Sequence, residues 1–283
     1  RKLIERSCLS AKAGNEDPAR YIALIISQTV RHWKNEDYEV AESYLTGEIQ
    51  KNGKIGEFYC LRGRTRLSLP TRKQEQIESD FEQAERYGCN AFDLIKYWYI
   101  LKLRSGDWRG LYRLHKRKAV IAESFPVFNC CNVMAAIRIA DKIVDRTPSE
   151  ARQYYLDALQ SASDYIVSGK SMGYFHQLRA LMNEASVGYI KTLRRESDAA
   201  THELLVFRFV ASCLDYNLAP TYLIRIGLHS LERWISAGAA KPEIQRQRST
   251  IIDDLDKILR YLNAQNKVRF ALTSECERIR AKV

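Results

Sequence analysis

Apolar residues recur every three or four positions along most of the chain, and short breaker sequences divide this pattern into segments. This spacing puts apolar side chains on one face of an α-helix, so each segment is predicted to be an amphipathic helix. Asp17-Pro18 has the form of a helix start, and Asn52-Gly53 has the form of a helix end. The predicted helices of the first half cover residues 17–34, 36–51, 56–69, 74–87, 91–104 and 107–122.

The second half carries longer segments of the same kind. Its predicted helices cover residues 128–145, 147–167, 172–195, 197–217, 220–237, 242–263 and 266–282. Thr147 and Glu150, with Pro148 between them, have the spacing of a capping box at a helix start. Residues 204–210 also suit a strand, but Glu203 belongs to a helical start and no partner strand is visible. This segment is therefore predicted to be helical as well.

An aromatic residue followed three positions later by a small or apolar residue marks two of the helix starts. The two pairs are Tyr38 with Ala41 and Trp108 with Leu111, and their aromatics lie 70 residues apart, which is two units of 35. The unit between them has Gly63 in its first helix and Phe81 with Ala84 in its second. Small residues at such positions let helices approach closely, and aromatics fill the space beside them, so we expect these residues in the core.

This pattern resembles the tetratricopeptide repeat over residues 21–126. Thr29 and Tyr99 depart from it, because they stand where the family has a small residue, and each unit lacks the family's terminal proline. The resemblance implies a right-handed α-solenoid of antiparallel helical hairpins with about 12 helices. It implies repeats over residues 1–126 and further hairpins over 127–283 that continue the same solenoid. In such a stack the first helices of successive repeats line a concave groove.

Composition agrees with long helices and adds a basic charge. Glycine (13) and proline (6) are scarce for 283 residues, whereas many-stranded folds need frequent turn residues. The formal net charge is +11, which attracts acidic proteins, polyanions or anionic surfaces. The seven cysteines include no pair with CxxC spacing, and no apolar run approaches the roughly 20 residues that span a bilayer. These features predict a cytoplasmic protein with reduced thiols and no membrane partner.

The sequence offers no recognisable catalytic machinery. It contains no phosphate-binding loop, dinucleotide fingerprint, HExxH motif or nucleophile elbow. His202-Glu203 lacks a second metal ligand at usable spacing. Acids such as Asp256 lie four residues from cations such as Arg260, as solvated helix partners do. We therefore expect a protein that is not an enzyme and that binds neither cofactor nor metal.

The strongest chemical feature is a basic stretch with interleaved aromatics between residues 96 and 118. Together with arginines one unit earlier, it gives these predicted partner-binding residues: Arg62, Arg64, Lys96, Arg104, Arg109, Arg113, Lys116 and Arg117. By position in the repeat, Arg64, Lys96 and Arg104 are predicted to face the groove. Arginines there would hold carboxylates or phosphates by paired hydrogen bonds. The alternative is a solvated basic face beside core aromatics.

Three functions suit these features. The first is a non-catalytic interaction, scaffold or sensor module that binds an acidic peptide or protein in a basic groove. The second is a nucleic-acid binder that uses the surface at 96–118, since basic residues with aromatics are typical of single-strand binders. The third is the C-terminal sensor region of a larger signal-transducing ATPase or defence protein. It is suggested by a chain that begins at Arg1 rather than Met, and it would supply other domains of a longer chain as partners.

Overall fold

The computed structural model describes residues 35–51, 53–89, 92–122, 125–169, 173–196, 199–214, 221–237, 241–264 and 270–283. These ranges contain helices and no strand, so the predicted all-α class is confirmed for them. The predicted helix that begins at Asp17-Pro18, and Thr29 with it, lies outside the described residues. Contacts divide the chain after Ala122 into two compact units, here called unit 1 and unit 2.

Unit 1 consists of consecutive helices that each pack against the next. They are α1 (Asn35–Lys51), α2 (Gly56–Leu67), α3 (Gln74–Arg86), α4 (Phe92–Ser105), α5 (Trp108–Arg117) and the short α6 (Ala119–Ala122). In addition, α2 packs against α4, as the first helices of successive hairpins do in a helical array. The predicted helix 107–122 is divided, because Lys118 leaves the helical region with φ −112° and ψ 24°. Asp107 caps α5 instead, and its carboxylate accepts a hydrogen bond of 2.9 Å from the Gly110 amide.

The contact between α2 and α3 depends on Gly63, the small residue of the middle repeat unit. A Cβ atom on Gly63 would lie 2.5 Å from Phe81 Cε1, far inside van der Waals contact. Five of the seven residues expected in the core are buried, which confirms the prediction for them: Ala41, Gly63, Phe81, Ala84 and Leu111. The remaining two, Tyr38 and Trp108, are only half-buried. Gly63 and Phe81 therefore hold the two helices at a separation that no larger residue than glycine would permit.

Unit 2 begins with a group of three mutually packed helices. These are α7 (Pro126–Ile143), α8 (Pro148–Val167) and α9 (Phe175–Glu196). The helix start at Pro148 is as predicted, but the capping box is not formed. The Thr147 hydroxyl donates to the Glu150 carboxylate at 3.3 Å rather than accepting from a backbone amide. The proline at the first helical position fixes this start without that cap.

Four further helices complete the described part of unit 2. They are α10 (Ala199–Cys213), α11 (Thr221–Ser236), α12 (Lys241–Ala264) and α13 (Phe270–Arg280). Since α10 packs against α9, α11 and α12, it buries Val206, Phe207 and Val210 completely. This burial explains why residues 204–210 resemble a strand in sequence, although the helix predicted there is confirmed. The Asp256 carboxylate pairs with Arg280 of α13 at 2.9 Å, so its predicted pairing with Arg260 is wrong. No described helix has the length and apolar character needed to cross a membrane.

Two helical glycines allow a direct test of the α2–α3 contact. In Gly63→Ala, the new methyl group must displace the Phe81 ring, and such overpacking typically costs about 1–3 kcal/mol. In Gly47→Ala on α1, nothing lies within 4 Å of the new Cβ, and alanine stabilises a helix by about 0.5–1 kcal/mol over glycine. We expect the free energy of unfolding to fall in the first variant and to rise in the second, as measured by urea denaturation. A Gly63→Ala protein as stable as Gly47→Ala would contradict the close contact.

Candidate functional site

An internal ion network joins α1, α2 and α3. Asp80, which is 2% exposed, accepts from Arg62 Nη2 at 2.6 Å and from Arg66 Nη1 at 3.0 Å. Arg66 Nε also donates to Glu42 at 2.8 Å, and Arg72 Nε donates to the other oxygen of Glu42 at 2.7 Å. The Arg62 guanidinium is thus held inside unit 1. Arg62, which was predicted to bind a partner, is therefore engaged in an ion pair between α2 and α3.

Burial and charge act against each other at the two acids of this network. Burial raises the pKa of the Asp80 carboxyl, although Arg62 and Arg66 both favour its ionised form. Burial also disfavours a charge on Glu42, but hydrogen bonds and charges from Arg66 and Arg72 outweigh it and lower the Glu42 pKa. A carboxylate as buried as Asp80 is tolerated only while both guanidinium groups remain beside it.

A second internal cluster holds Lys102 of α4. This side chain is buried, and its Nζ donates to the Asp107 carboxylate at 2.8 Å and also to Glu78 of α3. Burial disfavours the Lys102 charge, but the hydrogen bonds from Nζ to Asp107 and Glu78 raise its pKa. The Lys102 charge is therefore balanced by two carboxylates inside unit 1, although this residue belongs by sequence to the basic stretch.

The three predicted groove residues lie along the packed pair α2 and α4. The Arg64 guanidinium lies 4.8 Å from the centroid of the Tyr97 ring, and Lys96 Nζ lies 5.5 Å from the same ring. The exposed Arg104 is farther along both helices and donates from Nη1 to the Leu67 carbonyl oxygen at 2.7 Å. The structure thus brings Arg64 and Lys96 together on Tyr97. Arg104 instead satisfies a free carbonyl at the C-terminus of α2.

The exposed cations of α5 follow one face of that helix. Arg109, Arg113 and Lys116 are exposed and separated by four and three residues, which aligns them along the helix; they are called the α5 basic stripe below. Lys116 Nζ lies 5.3 Å from the centroid of the half-buried Tyr112 ring, on the same face. The opposite face is buried at Leu111, Leu114 and His115, and α5 contains no acidic residue. Three cations thus face solvent side by side.

Arg117 lies at the edge of this surface with a different set of neighbours. Its guanidinium is 4.9 Å from the centroid of the Trp98 ring and pairs with Glu85 at 3.2 Å. Lys118 pairs with the same carboxylate at 2.5 Å. Arg117 is therefore partly neutralised from α3, which distinguishes it from the α5 basic stripe.

Two aromatics of the basic stretch are core residues, whereas Tyr97, Trp108 and Tyr112 are half-buried. Trp98 is 3% exposed and Tyr99 is 1% exposed, and the Tyr99 hydroxyl lies 2.6 Å from His115 Nδ1. Within the described ranges, no three His, Cys, Asp or Glu side chains form a group that would hold a metal ion. His202 and Glu203 lie 3.7 Å apart, and Arg233 of α11 pairs with Glu203 at 3.2 Å.

The ion network was missed by sequence reasoning, and it can be tested with two acids of one helix. Asp80→Asn leaves the half-buried Arg62 guanidinium without a negative partner and leaves Arg66 with Glu42 alone. We expect this variant to lose roughly 2–3 kcal/mol of unfolding free energy, below the range for a fully buried pair because both arginines keep some access to water. Glu82→Gln removes an exposed charge two residues away and should change the stability by less than about 0.5 kcal/mol. Equal stability of the two variants in urea denaturation would show that the network contributes nothing.

Neither the models of known protein families nor the sequences of curated proteins give a match to this chain. The resemblance to the tetratricopeptide repeat therefore rests on the residues quoted for it, and it stays a prediction.

Proposed function

We propose that this chain is a helical-repeat interaction module that binds an acidic segment of a protein through the basic surface of unit 1. The observation that carries the proposal is the α5 basic stripe, in which three exposed cations share one helix face with no acid on the helix. Arg64 and Lys96, gathered on Tyr97, extend the supply of cations on α2 and α4.

The spacing of the stripe supports an extended acidic segment as the partner. Four residues of helix rise about 6 Å, which equals about two residues of an extended peptide. Three residues rise about 4.5 Å, which a long lysine side chain can adjust to the same interval. An extended segment with acids at alternate positions would therefore place one carboxylate opposite each of Arg109, Arg113 and Lys116. The two arginines suit carboxylates because the guanidinium can donate two parallel hydrogen bonds.

The burial of the aromatics favours a protein partner over nucleic acid. Binders of single strands stack bases on exposed aromatic rings. In unit 1, Trp98 and Tyr99 are buried, and Tyr97 lies beneath the Arg64 guanidinium. The cations of the α5 basic stripe are exposed, whereas Trp98 and Tyr99 are buried and Arg64 covers a face of Tyr97.

Charge reversal gives a sharp test of the surface. The first triple variant reverses the charges of the α5 basic stripe: Arg109→Glu, Arg113→Glu and Lys116→Glu. The control makes the same charge change at three exposed positions of unit 2: Lys191→Glu, Arg225→Glu and Arg248→Glu. The probe is a fluorescent peptide of alternating glutamate and alanine, titrated by anisotropy at physiological salt. Exposed pairs contribute about 0.5–1 kcal/mol each when well formed, so losing three should weaken binding by roughly 10- to 150-fold. The unit 2 variant should bind within a few-fold of the original chain.

Two results would reject this assignment. Equal weakening by both variants would mean that net charge alone attracts the peptide. The second result is that a single-stranded oligonucleotide binds more tightly than the peptide and that charge reversal of the stripe abolishes this binding. The surface would then be assigned to nucleic acid.

A further inference from the structure

Unit 2 contains a cavity of about 650 Å³ between α8 and α10, with α9 at its base. Among α7, α8 and α9, every pair of helices is in contact. By contrast, α8 and α10 both pack against α9 but not against each other, and the cavity is the space left between them. Each helix lines it with residues at helical spacing: Leu156 and Ser163 on α8, Met182 and Ser186 on α9, and Leu205 and Phe209 on α10. The volume lies within the roughly 300–1,000 Å³ of sites that enclose small molecules.

The walls of this cavity are mainly apolar, and apolar side chains continue to its mouth. Leu156 is 37% exposed and Leu205 is 39% exposed, although both are large hydrophobic residues. Ser163 of α8 and Ser186 of α9 are buried and line the cavity. Because these side chains are small, they leave space there that a larger residue would fill. Apolar surface left in this state gains free energy when an apolar molecule covers it.

One cation lines the cavity without an acidic partner. Arg208 of α10 is half-buried, and its Nη2 donates to Gln247 Oε1 of α12 at 2.5 Å. Its Nε is buried with no acceptor, and no carboxylate of the described residues pairs with it. The acid that lines the cavity, Asp157, is half-buried on α8 and accepts from Gln153 at 3.1 Å. A half-buried guanidinium without a counterion favours the binding of an anion.

We propose that this cavity binds a small amphipathic carboxylate, with its apolar body between α8 and α10 and its carboxylate at Arg208. Gln247 holds one edge of the guanidinium in place, which leaves the rest of the group to face an anion. The apolar walls and the cation are both needed, so neither an alcohol of the same length nor a short carboxylate satisfies the site. This proposal concerns unit 2 alone and is independent of the surface on unit 1.

Three ligands separate the contributions of charge and tail in calorimetric titrations of the full chain. Octanoate carries both, 1-octanol carries the tail, and acetate carries the charge. We expect octanoate to bind with saturation and at least tenfold more tightly than either of the others. In Arg208→Gln, octanoate affinity should fall at least tenfold, to that of octanol, while octanol binding stays unchanged. Arg225→Gln, an exposed cation of α11, should leave all three affinities unchanged.

A second variant keeps the proposal testable if Arg208→Gln does not fold. Ser186→Leu places an apolar side chain on the cavity floor, so it should remove octanoate binding while the helical circular dichroism signal is kept. The proposal is overturned if octanoate binds no more tightly than acetate to the original chain. It is equally overturned if Arg208→Gln folds and retains the octanoate affinity, or if Ser186→Leu folds and retains it.

Discussion

The register between α2 and α3 determines both the packing and the charge balance of unit 1. Gly63 lies against the Phe81 ring, and Asp80 precedes Phe81 on the same helix. Arg62 and Arg66 lie on either side of Gly63 along α2, so the register that seats the ring also carries the Asp80 carboxylate to both guanidinium groups. A slip of one residue would break the ring contact and the ion pairs together. The buried network thus favours one alignment of two helices whose apolar faces alone would tolerate several.

This register has a consequence at the surface. Glu42, Glu78 and Asp80 are engaged by arginines and a lysine inside unit 1. Their charges are neutralised there and do not reach the solvent face of α5. The α5 basic stripe lies on a helix with no acid of its own, and the nearby Asp107 carboxylate, which also attracts Arg113, is engaged by Lys102. Internal pairing in one part of the unit and exposed cations in another are two results of the same distribution of charge.

Much of the fold follows from local sequence, but the tertiary pairings do not. Gly88 and Gly106 end α3 and α4 with φ of 79° and 65°, a backbone region that glycine enters without strain, so these helix ends are visible in the sequence. Gly63 and Phe81 are visible as well, because a repeat needs a small residue against a large one. The link from Arg62 to Asp80 spans 18 residues, and nothing local separates this arginine from the exposed ones. That is why Arg62 was predicted to bind a partner with Arg109 and Arg113.

The cavity of unit 2 shows the same limit from the other side. Residues such as Leu156, Met182 and Phe209 have the spacing of ordinary core positions, and most helices with that spacing bury it against a neighbour. Here the third helix that would cover them, α10, packs on α9, α11 and α12 and leaves α8. The completely buried residues of α10 include Phe207 and Val210, whereas Leu205 and Phe209 line the cavity. The gap therefore follows from which apolar face of α10 is packed against other helices.

The two candidate binding regions should respond to salt in different ways. Exposed charges are screened within about 8 Å at physiological ionic strength, so contacts at the α5 basic stripe weaken as salt rises. The pairs of Asp80 with Arg62 and Arg66 are largely shielded from solvent, and the same salt screens them much less. At the unit 2 cavity, salt weakens the attraction of a carboxylate to Arg208 but strengthens the burial of its tail when the anion is one excluded from protein surfaces, such as sulfate. Raising the salt concentration should therefore weaken peptide binding at unit 1 more than it lowers the stability of unit 1. At unit 2 it should change the ionic and the apolar contributions to ligand binding in opposite directions.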